Sequence, residues 1–259
     1  MATPKERRSA KVARPDGRAT SLYNRLQLPH DTQLRTDRPG RGGARNRKDR
    51  VSLQISTAAT YELVEAQAFA RQTGVPFNRF ITISWFKADV DDEQAQGHIA
   101  RFLKSAGGWL RSQQGQFAWL YVRECDPRSA IGSHVHILAH VPPHLATSFG
   151  RRTRGWIAGV TGKRYVKGTI KSRAVGRSSR TFDDNHDAYM VNLAQVMAYV
   201  LKGAASEARR VLKLPGPFRP GPVVGKRTGT SQNIGKAARG GARWSAQEGV
   251  SPHPSPRRA

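Results

Sequence analysis

Gly132-Ser133-His134-Val135-His136-Ile137-Leu138-Ala139-His140-Val141 interleaves histidines with β-branched and aliphatic residues and is closed by Pro142-Pro143. Its length and composition predict a β-strand over 133–141. Side chains on a strand repeat every second residue, so His134 and His136 project from one face, one pleat apart, where two imidazoles can bind one divalent metal. Histidine pairs on half-buried strands also occur as hydrogen-bonded structural residues, and the surrounding sequence has to decide between the two. His140 is in phase with the pair, two pleats on, and reads as structural.

Just upstream, Phe117-Ala118-Trp119-Leu120-Tyr121-Val122-Arg123-Glu124 predicts another strand, and Cys125 to Ser133 a polar loop bearing proline and glycine. If the two strands form an antiparallel hairpin, Glu124 sits beside His134 on the histidine face. A carboxylate with two imidazoles is a three-ligand set that leaves positions open for water or a phosphate oxygen. The competing reading is an ion pair of Glu124 with Arg123, Arg128 or another cation nearby.

Cations are plentiful. The 259 residues carry 44 Lys and Arg against 18 Asp and Glu, a net charge of +26. That length allows one domain with tails or two small domains. The charge points to a polyanionic partner, with a solvated basic surface or an acidic membrane as alternatives. No apolar run of about 18 residues is present, nor a charged segment followed by a short apolar one, so neither a membrane span nor a secretory signal is expected. The single cysteine, Cys125, excludes an intrachain disulfide, offers no Cys-based zinc site and fits a reducing cytoplasm.

Taken in order, residues 1–50 are basic, Pro- and Gly-rich and poor in apolar residues, which predicts a disordered arm. Ser56-Thr57 caps a helix that ends near Gly74 and Pro76, and Arg79 to Phe86 alternates as a half-buried strand. Asp91-Asp92-Glu93 begins a helix expected to reach about Ala106 and to end at Gly107-Gly108. Pro142-Pro143 opens a further helix through Leu145, Phe149 and Trp156. Arg151, Arg152, Arg154, Lys163, Arg164, Lys167, Lys171 and Arg173 follow, interleaved with Trp156 and Tyr165, a mixture suited to single-stranded nucleic acid. Aromatics so placed also serve as core. Val166 to Ile170 is a short strand candidate, 173–182 a basic loop, and Asp183-Asp184-Asn185 caps a helix from about His186 to Gly203. Tyr189, Met190, Leu193, Val196, Met197, Val200 and Leu201 form its apolar stripe. Tyr199 lies off that stripe and shares a flank with Gln195 and Lys202, as an exposed nucleophile with a cationic helper would. A boundary tyrosine with its hydroxyl in water is the plainer alternative. The expected domains are thus the arm 1–50, a folded domain 51–204, and a basic Gly/Pro-rich tail 205–259, largely disordered.

Phe80-Ile81-Thr82-Ile83-Ser84-Trp85, then His134-Val135-His136, then Tyr199-Val200-Leu201-Lys202 resemble, in order and spacing, the three motifs of rolling-circle replication initiators, the HUH endonucleases. The resemblance spans about residues 76–204. It implies an α+β fold with a central antiparallel sheet and flanking helices, related to the ferredoxin-like or RNA-recognition arrangement. It also implies an enzyme that nicks and rejoins single-stranded DNA at a replication origin. His134 and His136 would hold Mg2+ or Mn2+ with Glu124 as third ligand; Tyr199 would attack phosphorus to give a 5′-phosphotyrosyl link, and Lys202 would assist. Two-tyrosine members carry Tyr-x-x-x-Tyr-x-x-Lys, and Gln195 stands at the first tyrosine position, so the resemblance is to the single-tyrosine plasmid or phage type; Tyr189 is a second candidate. A related transposase shares this chemistry, whereas a non-catalytic basic nucleic-acid-binding protein is the rival from another class. No Gly-x-x-x-x-Gly-Lys-Ser/Thr loop is present, so no intrinsic helicase is expected and a host helicase is a candidate partner. No small-molecule substrate is expected.

Overall fold

A computed structural model describes residues 50–126, 132–215 and 221–242. The expected arm and the end of the chain beyond 242 lie outside the described residues.

In chain order the elements are β1 (Val51–Ser52), α1 (Thr57–Gln72), β2 (Arg79–Ser84), α2 (Asp92–Ser112), β3 (Ala118–Asp126), β4 (Gly132–His140), α3 (Ala146–Thr161), β5 (Ile170–Ala174), α4 (Thr181–Asp184), α5 (His186–Val200), α6 (Ser206–Val211), β6 (Val223–Val224), β7 (Thr228–Thr230) and α7 (Lys236–Gly241). Five strands form an antiparallel sheet in the order β5-β2-β4-β3-β7, with the histidine strand β4 at its centre. β4 is buried along its whole length, so successive side chains feed two cores. Ile81, Ile83, Val135 and Ile137 pack under α2 and α3, while Phe80, Leu120, Val122 and Leu138 pack under α1 and α5. The molecule is therefore helices on both faces of an antiparallel sheet, a mixed α/β arrangement compatible with the expected α+β class. Among the described residues, no helix is long and apolar enough to cross a membrane.

Local chemistry sets the element ends. Ser56 Oγ accepts from Ala59 N at the start of α1, and Asn185 Oδ1 accepts from Ala188 N at the start of α5. α2 runs past Gly107-Gly108 to Ser112, six residues beyond the expected stop at Ala106. A Cβ at Gly107 would lie 3.3 Å from the Phe117 ring, so this glycine serves close packing rather than termination. The short strand expected over 166–170 is instead β5, displaced because Gly168, at φ +88°, turns the chain first. β5 and α4 take the two ends of the stretch expected as a 173–182 loop, and residues 175–180 between them are neither helix nor strand.

The largest correction concerns residues 205–215 and 221–242, which belong to the stretch 205–259 expected as a tail. The tail supplies sheet strand β7 paired to β3, pairs β6 with β1, and places Leu212, Val223 and Ile234 in the interior with no exposure. The segment is too rich in glycine and arginine to show a period, and besides those aliphatics it is held by hydrogen bonds of a buried guanidinium. Arg227 donates to the Ser52 and Gly221 carbonyls, and its own carbonyl accepts from Arg123 N at 2.7 Å. Gly229 lies so close to Tyr121 that a Cβ there would stand 2.6 Å from the ring.

Arg123 itself is fully buried on the face opposite Glu124 and pairs with Asp92 at 2.7 Å at the start of α2. Asp92 Oδ2 accepts from Val224 N in turn, so one ion pair joins β3, α2 and β6.

Deleting residues 205–259 should abolish cooperative unfolding. Each lost buried aliphatic contributes about 1.5–3 kcal/mol, and together they approach the ~5–15 kcal/mol of a whole domain. A urea melt of the shortened chain against one ending at 242 checks this; an unchanged melt would place the fold boundary at 204 after all.

A second expectation concerns His140, whose Nδ1 donates to the Pro76 carbonyl. Burial holds its pKa below the ordinary value, with the Pro76 carbonyl and Asp183 opposing. The unfolded histidine takes up a proton near pH 6.5, before the folded one does, so stability should fall as pH drops below about 6.5. His140→Gln should flatten that slope between pH 7.5 and 5.5 in denaturant titrations.

Candidate active site

The β3–β4 register places Glu124 directly opposite His134, so the expected hairpin neighbour is realised. Gly132, at φ +54° and with no room for a Cβ beside Phe86, opens β4 and turns its carbonyl onto His134 Nδ1 at 2.9 Å. His134 Nε2 then lies 3.2 Å from Glu124 Oε2, and His136 Nε2 lies 3.5 Å from the same oxygen. The remaining nitrogen of His136 meets Thr82 Oγ1 at 3.0 Å across β2. Phe80, on the same face of β2, stacks on the His136 ring at 5.5 Å.

The donor set can accept a cation. Both nitrogens of His134 face acceptors, yet a neutral imidazole has one N–H, so only a proton or a metal ion can fill the second position. Glu124 Oε1 and His136 Nε2 are buried with no hydrogen-bond partner. Ligand atoms of Glu124, His134 and His136 lie within 4.8 Å of one another. This buried group can hold a metal ion, with the Gly132 carbonyl and Thr82 hydroxyl orienting the rings as outer partners.

Burial opposes ionisation of Glu124, but the hydrogen bond from His134, the nearby His136 imidazole and the Lys202 charge overcome it and hold its carboxyl well below the usual range. Burial lowers the pKa of His136, favouring the neutral ligand form, although Glu124 opposes that shift. The partner of Glu124 among basic side chains is Lys202, at 2.7 Å. Arg123 turns to the other face of β3, as adjacent strand residues must, and Arg128 lies outside the described residues.

α5 crosses this face and brings Tyr199 to it. The Tyr199 ring is 46% exposed and lies 5.1 Å from the His136 ring. α5 ends at Val200, so Lys202 sits in the following turn rather than on the helix, with its Nζ 3.9 Å above the Tyr199 ring centroid. Three segments, distant in sequence, thus converge on one cluster. Tyr189 does not join them: it is fully buried, its hydroxyl donates to the Phe77 carbonyl, and burial pushes its pKa up.

No family model matches the chain, and neither the curated proteins nor the solved structures contain a match. The reading of the site therefore rests on its own geometry.

The basic residues separate into groups. Arg173 lies over the Phe80 ring at 5.0 Å and, with Arg177, Asn192 and Gln195, lines a cleft of about 380 Å³ that opens on Tyr199. Lys171 is opposite Thr82 in the β2–β5 register and so belongs to the same sheet face. Arg152 lies over Trp109 and Lys163 pairs with Asp89, both away from the cluster, and Arg164 and Lys167 are exposed between α3 and β5. Arg151 and Arg154 line a different cleft. Sequence reading missed Thr82 and Phe80 as supports of His136; their alternation with Ile81 and Ile83 marks the shared face but not the partner.

Mn2+ at 100 times its dissociation constant should stabilise the chain by about 2.7 kcal/mol, an increment lost in His134→Ala/His136→Ala. Thermal melts with and without metal test this, and equal stabilisation of wild type and double variant would remove the site.

Proposed function

We propose that this chain is a single-tyrosine HUH-type endonuclease that nicks and rejoins single-stranded DNA at a replication origin, as a rolling-circle initiator does, with an α+β fold of that kind. The observation that carries the reading is the position of Tyr199: half-exposed, beside His136, with Lys202 bridging its ring and Glu124. A binding module has no use for a hydroxyl at that place.

In this reading the Tyr199 oxygen attacks the scissile phosphorus, loses its proton to solvent and forms a 5′-phosphotyrosyl bond, while the 3′ oxygen leaves and is protonated. Lys202 holds a phosphate oxygen and neutralises charge as the bond to phosphorus forms. Mg2+ or Mn2+ bound by Glu124, His134 and His136 would polarise the phosphate. Arg173 and Lys171 lie on the sheet face over which the strand would run, where their charges offset the backbone phosphates. The covalent link retains the phosphodiester energy, so a free 3′ hydroxyl can reverse the step without ATP. The setting is the cytoplasm, with a host helicase as partner for unwinding.

Incubation with single-stranded DNA carrying the origin of its replicon and Mn2+ should give a covalent protein–DNA adduct. The adduct should be absent with EDTA and absent in Tyr199→Phe, with a rate loss of at least ~10³-fold, the scale expected when an attacking group is removed. Binding without any adduct would instead favour a non-catalytic nucleic-acid-binding protein.

A further inference from the structure

At the far end of the sheet lies a second cationic site that the nicking chemistry does not use. Arg79 begins β2, five residues before Ser84, the neighbour of His134 in the register. At ~3.3 Å per residue this sets it about 17 Å from the metal-ligand end, and its side chain shares the face of Ile81 and Ile83, under α2 and α3. There Arg79, Arg151 and Arg154 line a cleft of about 520 Å³ with the hydroxyl-bearing Thr147 and Ser179.

Three features set this cleft apart from a solvated basic surface. None of its lining residues is acidic, and none of the three arginines pairs with a carboxylate among the described residues. Arg79 donates from Nη2 to Ser172 Oγ at 2.9 Å, but its Nε is buried with no partner. Burial also depresses the Arg79 pKa, as for a guanidinium lacking its counter-charge. The wall is rigid as well: Asn78 donates to the Val141 and Ser179 carbonyls and accepts from Val141 N, fixing the Ser179 segment against the end of β4.

We propose that the Arg79–Arg151–Arg154 cleft binds a phosphate of the nucleic-acid backbone, at a point remote from the reacting phosphate. Forked guanidinium donors with two hydroxyls match a tetrahedral oxyanion, and a nucleic-acid chain supplies such groups along its length. The cleft holds DNA without touching the cluster around Tyr199, so it stands whether or not Tyr199 is a nucleophile.

The test uses the full chain and single-stranded DNA, measuring affinity from 50 to 300 mM salt for wild type, Arg151→Gln/Arg154→Gln, and an Arg164→Gln/Lys167→Gln control. The cleft variant should flatten the plot of log affinity against log salt by ~0.7 for each phosphate no longer neutralised, beyond any change in the control. Arg79 is tested separately through its Nε–H resonance, assigned by its loss in Arg79→Lys, which should shift on adding DNA in wild type and equally in Tyr199→Phe. A shift with inorganic phosphate but none with DNA, together with an unchanged salt slope, would overturn the backbone assignment in favour of a small phosphorylated ligand. No shift with either, and slopes equal to the control, would overturn the site itself. Adduct formation is read in a different assay, so its failure leaves these outcomes separate.

Discussion

A carboxylate that is 3% exposed in the middle of a sheet remains charged only if its surroundings replace the water it has lost. Glu124 is in that position, and the half of the molecule around the histidine pair is arranged to meet its demand. His134 faces it across the β3–β4 hairpin, His136 follows one pleat on, and Lys202 reaches it from the turn after α5. The four groups come from three stretches of chain. Holding them together requires the hairpin register, the packing of α5 on the sheet, and the tight opening of β4 at Gly132. The same charge draws Lys202 over the Tyr199 ring, so the tyrosine's setting follows from the carboxylate's need.

β3 carries a second buried charge immediately before the first. Arg123 and Glu124 point to opposite faces, and each has its own partner, Asp92 on one side and Lys202 on the other. Breaking a buried pair by removing one member costs about 3–5 kcal/mol, so both faces of this strand are tightly specified. Arg123 does for the α2 side what Glu124 does for the α5 side: it ties the sheet to a helix end and to a segment from near the end of the chain. Arg227, with Ser52 and Gly221 as acceptors, continues that role at the sheet margin.

The excess of positive charge is not spread evenly in purpose. Some cations are structural, as Arg123, Arg227 and Arg239 are, each donating to carbonyls or carboxylates. Others meet aromatic rings, as Arg152 does with Trp109. Among the described residues, Arg173 and Arg177 line the cleft beside Tyr199, and Arg79, Arg151 and Arg154 line one at the opposite end of the sheet. A net charge alone does not distinguish these classes, because a guanidinium serves a buried carbonyl and a phosphate with the same donors.

What the sequence determined by itself was whatever depends on period and on near neighbours. The two-residue repeat puts His134 and His136 on one face, a hairpin with a short loop puts Glu124 opposite His134, and the helical repeat sets Tyr199 off the apolar stripe. Each follows from backbone geometry over a few residues. Only the tertiary structure decided the rest: that Glu124 chooses Lys202 over Arg123, that Tyr189 is buried, that α2 continues through Gly107-Gly108, that Arg79 joins Arg151 and Arg154, and that Thr228–Thr230 completes the sheet. Those outcomes depend on contacts between segments far apart in the chain, where ion pairing, close approach of backbones and burial outweigh local preference. A Gly- and Arg-rich stretch without period gives no local sign of order, because its few scattered aliphatics, its carbonyl contacts and its close approach to Tyr121 all find their partners in segments far away in the chain.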